Sequence, residues 1–318
     1  MAEKQFEIDP AKFYKMLDAV WDAYQNRRGI FHDCVERFLP QYNLPDDLQG
    51  AIDSNDEDGK RNVALWLFVR GFCDKRVDSG RLMRRAKSAY ENPERRWLFL
   101  PEEVVKRDAK TIHYALTNYI VRVPYHPKKE KDPGYVHKSN SEKLLEIYGG
   151  DPRKIIHGKD AKLARKDLMA FGGIGKGISN MILTEFLDLG LALIRDPENA
   201  LFKIDTPRAR IPLFSGSVIP SNGSIHFGTL VGPLEQMYLA YCNERRLTVK
   251  ERIRLDQAIW VTGSEGCDKH SYTHCSASCP LFEDFCKSTF SLNKHTGRYT
   301  NGKYLRSNRG QLGFYLNC

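Results

Sequence analysis

The sequence predicts an all-α protein on three observations. Apolar residues recur at helical spacing through most of the chain, strand-like alternation is confined to short pieces such as 211–219, and glycine, proline or charge separates the periodic runs. The first run, 11–27, places Phe13, Met16, Leu17, Val20, Trp21 and Tyr24 on one stripe. Further helices are expected at 62–73, 79–90, 102–122, 140–148, 161–171, 178–194, 230–246 and 248–262. Between them, 52–60 reads as an acidic turn, 123–140 as an exposed loop with three prolines, and 213–228 as a loop rich in glycine and serine. The acidic turn is no calcium loop, because Asp58 stands where the sharp-turn glycine is needed.

Length and charge narrow the function. A chain of 318 residues can bury a sizeable core and divide into two domains. The N-terminal stretch has no apolar core of a leader, and no apolar run is long enough to span a bilayer, so a soluble intracellular protein is expected. The formal net charge of +9 is uneven: from Lys287 to Cys318 Asp and Glu are absent, and a second basic zone runs from Arg122 to Lys176. That imbalance suits a polyanionic partner, although Lys-rich solvated faces produce the same composition.

Four of the eight cysteines, Cys267, Cys275, Cys279 and Cys286, lie in one segment spaced C-x7-C-x3-C-x6-C. In a reducing compartment such a group binds metal more often than it forms disulfides. Cys34, Cys73 and Cys242 sit in segments that read as buried helix, where a free thiol acts as a small hydrophobe, and Cys318 is terminal.

Two further motifs carry chemistry. Between apolar runs lies Gly172-Gly173-Ile174-Gly175-Lys176-Gly177. Glycines let a backbone turn tightly and approach another molecule, Ile174 would plug the crevice between two helices, and the N–H groups of the second helix would face outward. This is either a phosphate-binding turn or a tight helix–helix corner. Downstream, 204–211 reads IDTPRARI, where Asp205 is placed to cap a helix whose first turn holds Pro207.

In this order the pieces resemble the helix-hairpin-helix DNA glycosylases, specifically the endonuclease III-like branch with its iron–sulfur cluster loop. The resemblance covers roughly residues 60–290 and rests on FGGIGKGIS at 171–179, DTPRARI at 205–211, and DQAIWVTGSEGC at 256–267, where Gly263 precedes Cys267 by the family's interval. It also rests on the Glu-Asp-aromatic sequence before Cys286. Each cysteine gap is one residue longer than the family's usual gap, which keeps zinc open, with His270 and His274 as added ligands.

The resemblance implies a two-domain helix-hairpin-helix glycosylase fold with a C-terminal iron–sulfur loop. A six-helix barrel would span 60–200, and 1–59 with 201–318 would form the cluster domain. It implies Asp205 as the catalytic carboxylate; Gly173, Gly175, Lys176 and Gly177 as DNA-binding residues; and Cys267, Cys275, Cys279 and Cys286 as ligands of a 4Fe-4S cluster. A monovalent cation at the hairpin carbonyls is also implied. The partner would be double-stranded DNA with a modified or mismatched base, and the activity base excision repair by a monomeric, membrane-free hydrolase. The compartment would be the cytoplasm of a bacterium or archaeon, or a nucleus. Gly177 stands where bifunctional members carry a Schiff-base lysine, so a monofunctional enzyme is expected. An N-glycosidase for a free nucleotide or RNA base, and a non-catalytic DNA-binding protein, are the alternatives.

Overall fold

A computed structural model describes residues 6–32, 44–74, 79–121, 128, 131–200, 202–221, 225, 227–267, 272–287, 290–293, 298–301, 303–308 and 311–316. The fold is mostly helical, as the periodicity predicts, with three two-stranded sheets among the described residues. The chain divides into two compact units, Gln41–Lys203 and Met1–Pro40 with Ile204–Cys318. The first boundary falls at 40/41, where sequence reading put it at 59/60. Leu44 and Leu48 account for the shift, since both belong to the core of the 41–203 unit.

That core forms around one helix buried on every side. Here α1 denotes Pro10–Gln25, α2 Asp46–Asp53 and α3 Glu57–Cys73. Along α3, Val63 to Val69 and Phe72 are all buried, as expected of a helix apolar all round rather than on one stripe. Asp56 caps it by accepting from Gly59 N at 2.8 Å. Around it stand α2, α4 (Ser79–Glu91), α5 (Pro101–Val104), α6 (Ala109–Ala115), α7 (Pro133–Tyr148), α8 (Ala161–Met169) and α9 (Lys176–Asp188).

The segment expected as a loop to residue 140 is helical from Pro133. Asp132 caps α7 through Gly134 N at 2.9 Å, and proline sits in the first turn, where its missing N–H costs nothing. Gly134 is needed because a Cβ there would collide with the Ala109 carbonyl oxygen of α6. α2 replaces part of the expected 52–60 turn, and the expected 102–122 helix is broken between α5 and α6.

In the other unit, α1 is capped by Asp9, whose Oδ1 accepts from Lys12 N at 3.0 Å. Its stripe of Phe13, Met16, Leu17 and Val20 is fully buried, with Phe13 edge-on to Tyr238 at 5.1 Å. The remaining helices are α10 (Thr206–Phe214), α11 (Phe227–Glu244), α12 (Val249–Val261) and α13 (Tyr272–Ser278). Strand β1 (Phe6–Ile8) pairs antiparallel with β2 (Val218–Pro220), so the alternation read near 211–219 is strand only at its end. The C-terminal stretch forms two antiparallel hairpins, β3 (Phe290–Asn293) with β4 (Arg298–Asn301) and β5 (Lys303–Asn308) with β6 (Gln311–Leu316), which an all-α reading misses.

Two buried polar groups of the 41–203 unit have energetic consequences. Arg70 and Glu185 form a buried ion pair joining α3 to α9, and burial raises the Glu185 carboxyl against the opposing pull of Arg70. Such a pair stabilises little on balance, but losing one partner strands a charge at about 3–5 kcal/mol. His137 of α7 is also buried, with Nε2 donating to Leu98 O at 2.7 Å, and burial lowers it to about 4. Because the folded value lies below the ordinary 6.5, the unfolded chain takes up a proton between pH 6.5 and 4 that the folded chain refuses. Stability of this unit should therefore fall as pH drops through that window, by about 3 kcal/mol at its lower end. Urea midpoints measured against pH should show the loss, and His137→Gln, which keeps a donor for Leu98 O, should remove it.

Candidate functional site

The glycine hairpin lies in the 41–203 unit between α8 and α9. Phe171 and Ile174 anchor it in the core, Phe171 edge-on to Phe68 at 5.1 Å. Asn140 of α7 clamps the turn from beneath: its Nδ2 donates to Gly172 O at 2.9 Å and its Oδ1 accepts from Gly172 N at 2.8 Å. Lys143 Nζ donates to Ala170 O at 2.8 Å, which places an ammonium on one of the turn carbonyls.

The four glycines have different reasons. A Cβ at Gly172 would press on Val136, and Gly173 has φ +83°, a left-handed conformation that disfavours side chains. Gly175 is different, since nothing lies within 4 Å of where its Cβ would stand. At Gly177 the nearest atom is Lys203 Cγ, at an ordinary 3.5 Å. Folding alone thus accounts for glycine at 172 and 173 and leaves 175 and 177 open.

Gly175 is also the N-cap of α9, and no side chain caps that end. By contrast Asp9, Asp56, Asp108, Asp132, Asp160 and Asp205 each accept a first-turn N–H of their own helices. Gly175 and Lys176 are exposed. The uncapped N–H groups of α9, with the positive end of its dipole, therefore face outward beside a lysine.

Asp205 lies in the other unit as the N-cap of α10. Its Oδ1 accepts from Arg208 N at 3.2 Å and its Oδ2 from Arg208 Nη1 at 2.8 Å. The same guanidinium forks onto Asp256 of α12, Nε to Oδ1 at 2.5 Å and Nη2 to Oδ2 at 2.8 Å. Burial works against the Arg208 charge, but Asp205 and Asp256 outweigh it and push the guanidinium further toward its protonated form. Tyr238 OH donates to Arg208 O at 3.3 Å, and burial raises its phenol so that it stays neutral. Of the two carboxylates on this cation, Asp205 is the partly exposed one.

The cysteine segment is built onto this helix. A Cβ at Gly263 would collide with the Pro207 carbonyl oxygen, so the turn leading from α12 to Cys267 lies directly on the start of α10. At the other end of α10, Cys286 Sγ donates to Phe214 O at 3.8 Å. Gly29, with φ +58°, makes a similar close approach to Ser278 O at the end of α13.

Cys267, Cys275 and Cys286 are buried and Cys279 is half-buried. Burial raises the Cys267 thiol first, and its neighbours Cys279, Cys286 and Cys275 raise it further. Burial, followed by Cys279, pushes Cys275 up to about 11. The sulfurs of Cys275, Cys279 and Cys286 thus all act on Cys267, and Arg210 opposes them only weakly, which fits a soft cation bound by thiolates. Among the described residues, however, no three His, Cys, Asp or Glu side chains stand close enough to hold a metal ion. His270 lies outside the described residues, as do Cys34 and Cys318.

Sequence reasoning missed Asn140, Asp256 and the Arg208 fork. Nothing local singles out Asp256, one of two acids in the highly charged helix α12. Trp66 and Arg70 are buried in the 41–203 unit, whereas Tyr114 is largely exposed. Among the described residues no helix is long and apolar enough to cross a membrane. Comparison with protein-family models, with curated proteins and with solved structures finds no match for this chain.

The packing of Gly263 on Pro207 makes a direct prediction. Gly263→Ala should destabilise the Asp205 unit by roughly 1–3 kcal/mol, as overpacking does, because backbone and not a flexible side chain blocks the added carbon. Thermal unfolding measures this, and Gly175→Ala, which meets open space, is the control.

Proposed function

We propose that this protein is a DNA N-glycosylase that hydrolyses the glycosidic bond of a damaged, modified or mismatched base flipped out of duplex DNA. The observation that carries the reading is the pair of glycines that packing does not require. Gly175 and Gly177 leave the backbone bare at an uncapped helix N-terminus, beside exposed Lys176. A bare, outward-facing row of N–H groups suits a phosphate of a nucleic acid backbone. Gly173 shapes the turn that presents them. A monovalent cation would share the turn carbonyls with the Lys143 ammonium.

Asp205 supplies the chemistry. As the base leaves, positive charge builds on the sugar, and a carboxylate stabilises that charge and orients the attacking water. Arg208 holds Asp205 in place through two hydrogen bonds, and Asp256 fixes the other edge of the same guanidinium. Residue 177 offers no amine, so water is the nucleophile for base release.

Cys267, Cys275, Cys279 and Cys286 are proposed to hold a 4Fe-4S cluster, with a single zinc as the alternative. When bound, the metal group would fix the fold of the segment 267–286. The purified protein should then contain about four irons per chain, and Cys279→Ser or Cys286→Ser should lower both the iron content and the unfolding temperature. One zinc per chain and no iron would replace the cluster.

The function is tested by incubating the protein with duplexes carrying a panel of damaged and modified bases and identifying the released base by mass spectrometry. Asp205→Asn should lower base release by about 10²- to 10⁴-fold, while duplex affinity stays unchanged or rises. Asn can keep the helix cap, and the Asp256 fork on Arg208 remains, so the variant should fold with some loss of stability, which thermal unfolding measures. Release from free nucleotides or RNA but not from duplex DNA would move the activity to another substrate. Duplex binding without release from any substrate would leave a non-catalytic DNA-binding protein.

A further inference from the structure

Two segments of the 41–203 unit, 79–90 and 109–122, contain no aspartate or glutamate. The first forms α4, and the second forms α6 and continues through the turn Leu116–Ile120. They lie side by side, since Arg85 Nη2 of α4 donates to Asn118 O at 2.5 Å. Asn118 in turn donates its Nδ2 to Tyr114 O at 2.9 Å. Beside this contact the Arg95 guanidinium lies over the Tyr119 ring, 3.8 Å from its centroid.

Charge on this face is left uncancelled. Neighbouring cations are paired, Lys87 with Asp46, Arg96 with Asp47 and Lys106 with Glu103. Arg84, Arg95 and Lys110 form no ion pair among the described residues, and Arg84 and Lys110 are exposed. Arg95 is held by a neutral ring, which fixes the guanidinium without removing its charge. One helical turn beyond Lys110 stands Tyr114, which is 65% exposed. A solvated basic face needs no bare ring, and the core does not use this one. The result is a set of unpaired cations around an aromatic surface open to a ligand.

We propose that this face binds an unpaired DNA strand, with a base stacked on Tyr114 and flanking phosphates on Arg84, Arg95 and Lys110. The surface goes beyond the glycosylase reading and does not need base release; only the choice of DNA over RNA rests on that reading. Bases of a duplex stack on one another, so only an unpaired base can lie on a tyrosine ring. Stacking of this kind tolerates any base, and the cations gain by releasing counterions from the strand. Helix α7 ties the face to the glycine hairpin. α6 crosses α7 at Gly134, and Asn140, farther along the same helix, clamps the turn. At 1.5 Å per residue these two points lie about 9 Å apart along the helix, close enough for one DNA molecule to reach both.

The test uses the full-length protein, a fluorescent oligothymidylate of about 20 nucleotides, and a blunt duplex of the same length for comparison. Tyr114→Ala should weaken binding of the single strand by about 5- to 150-fold, the loss of one stacked base, and leave duplex affinity unchanged. Arg84→Gln combined with Lys110→Gln should flatten the slope of log affinity against log salt by about 1.4, for two phosphate contacts on a single strand. A strand carrying iodouracil, irradiated on the unaltered protein, should crosslink to Tyr114, as mapped by peptide mass spectrometry. Unchanged affinity in Tyr114→Ala, a crosslink that maps elsewhere, or an equal loss on the duplex overturns the proposal. Oligouridylate bound as tightly as oligothymidylate also overturns it, since the partner would then be RNA. Single-strand binding through Tyr114 without release of any base keeps this surface and removes the glycosylase reading, and base release without single-strand binding does the reverse. The substituted residues are exposed, so the variants should fold, and the crosslink on the unaltered protein decides the matter if one does not.

Discussion

The Asp205 unit depends on the burial of one guanidinium. Arg208 is almost fully enclosed, and a cation so placed is tolerable only when its hydrogen-bonding edges meet acceptors. Asp256 takes one edge in a two-bonded fork and Asp205 takes the other, so the start of α10 is bolted to α12. This fixes Asp205 twice, by its helix and by Arg208. It also fixes the cysteine segment, because Gly263 can lie on Pro207 only while α10 and α12 keep that spacing. Carboxylate, glycine contact and cysteine segment are consequences of the same buried charge.

Much of what depended on local periodicity was legible in the sequence, although the run at 102–122 is broken into two helices. The stripe of α1, the apolar run of α3 and the cap at Asp205 came from spacing and residue type, and each is a local property. Features that depended on distant contact were not legible. Helix α7 was hidden because a Pro-Gly pair usually marks a turn, whereas here Pro133 opens the helix and Gly134 lets it cross α6. The boundary at 40/41 was hidden because Leu44 and Leu48 declare their core only once the chain is folded. Asn140 could not be distinguished from a solvated amide, since its partner, Gly172, is far along the sequence. The C-terminal hairpins were passed over because charge, not alternation, dominates the composition there.

Glycine is the residue whose meaning changes most between sequence and structure. A glycine-rich turn is ambiguous on paper, because tight corners and ligand-binding loops both favour a missing Cβ. The atoms around each position separate the two. Gly29, Gly134 and Gly263 would each drive a Cβ into backbone, and Gly173 needs a left-handed conformation, so the fold requires these four. Gly175 meets nothing and Gly177 only the stem of Lys203, so the fold asks for neither.

A glycine without a packing reason still carries the entropy cost of its freedom in the unfolded chain, about 0.5–1 kcal/mol relative to alanine within a helix. At Gly177, inside the first turn of α9, that cost is uncompensated by any contact in the protein itself. A partner whose backbone or phosphate must come closer than a methyl group allows would offset it.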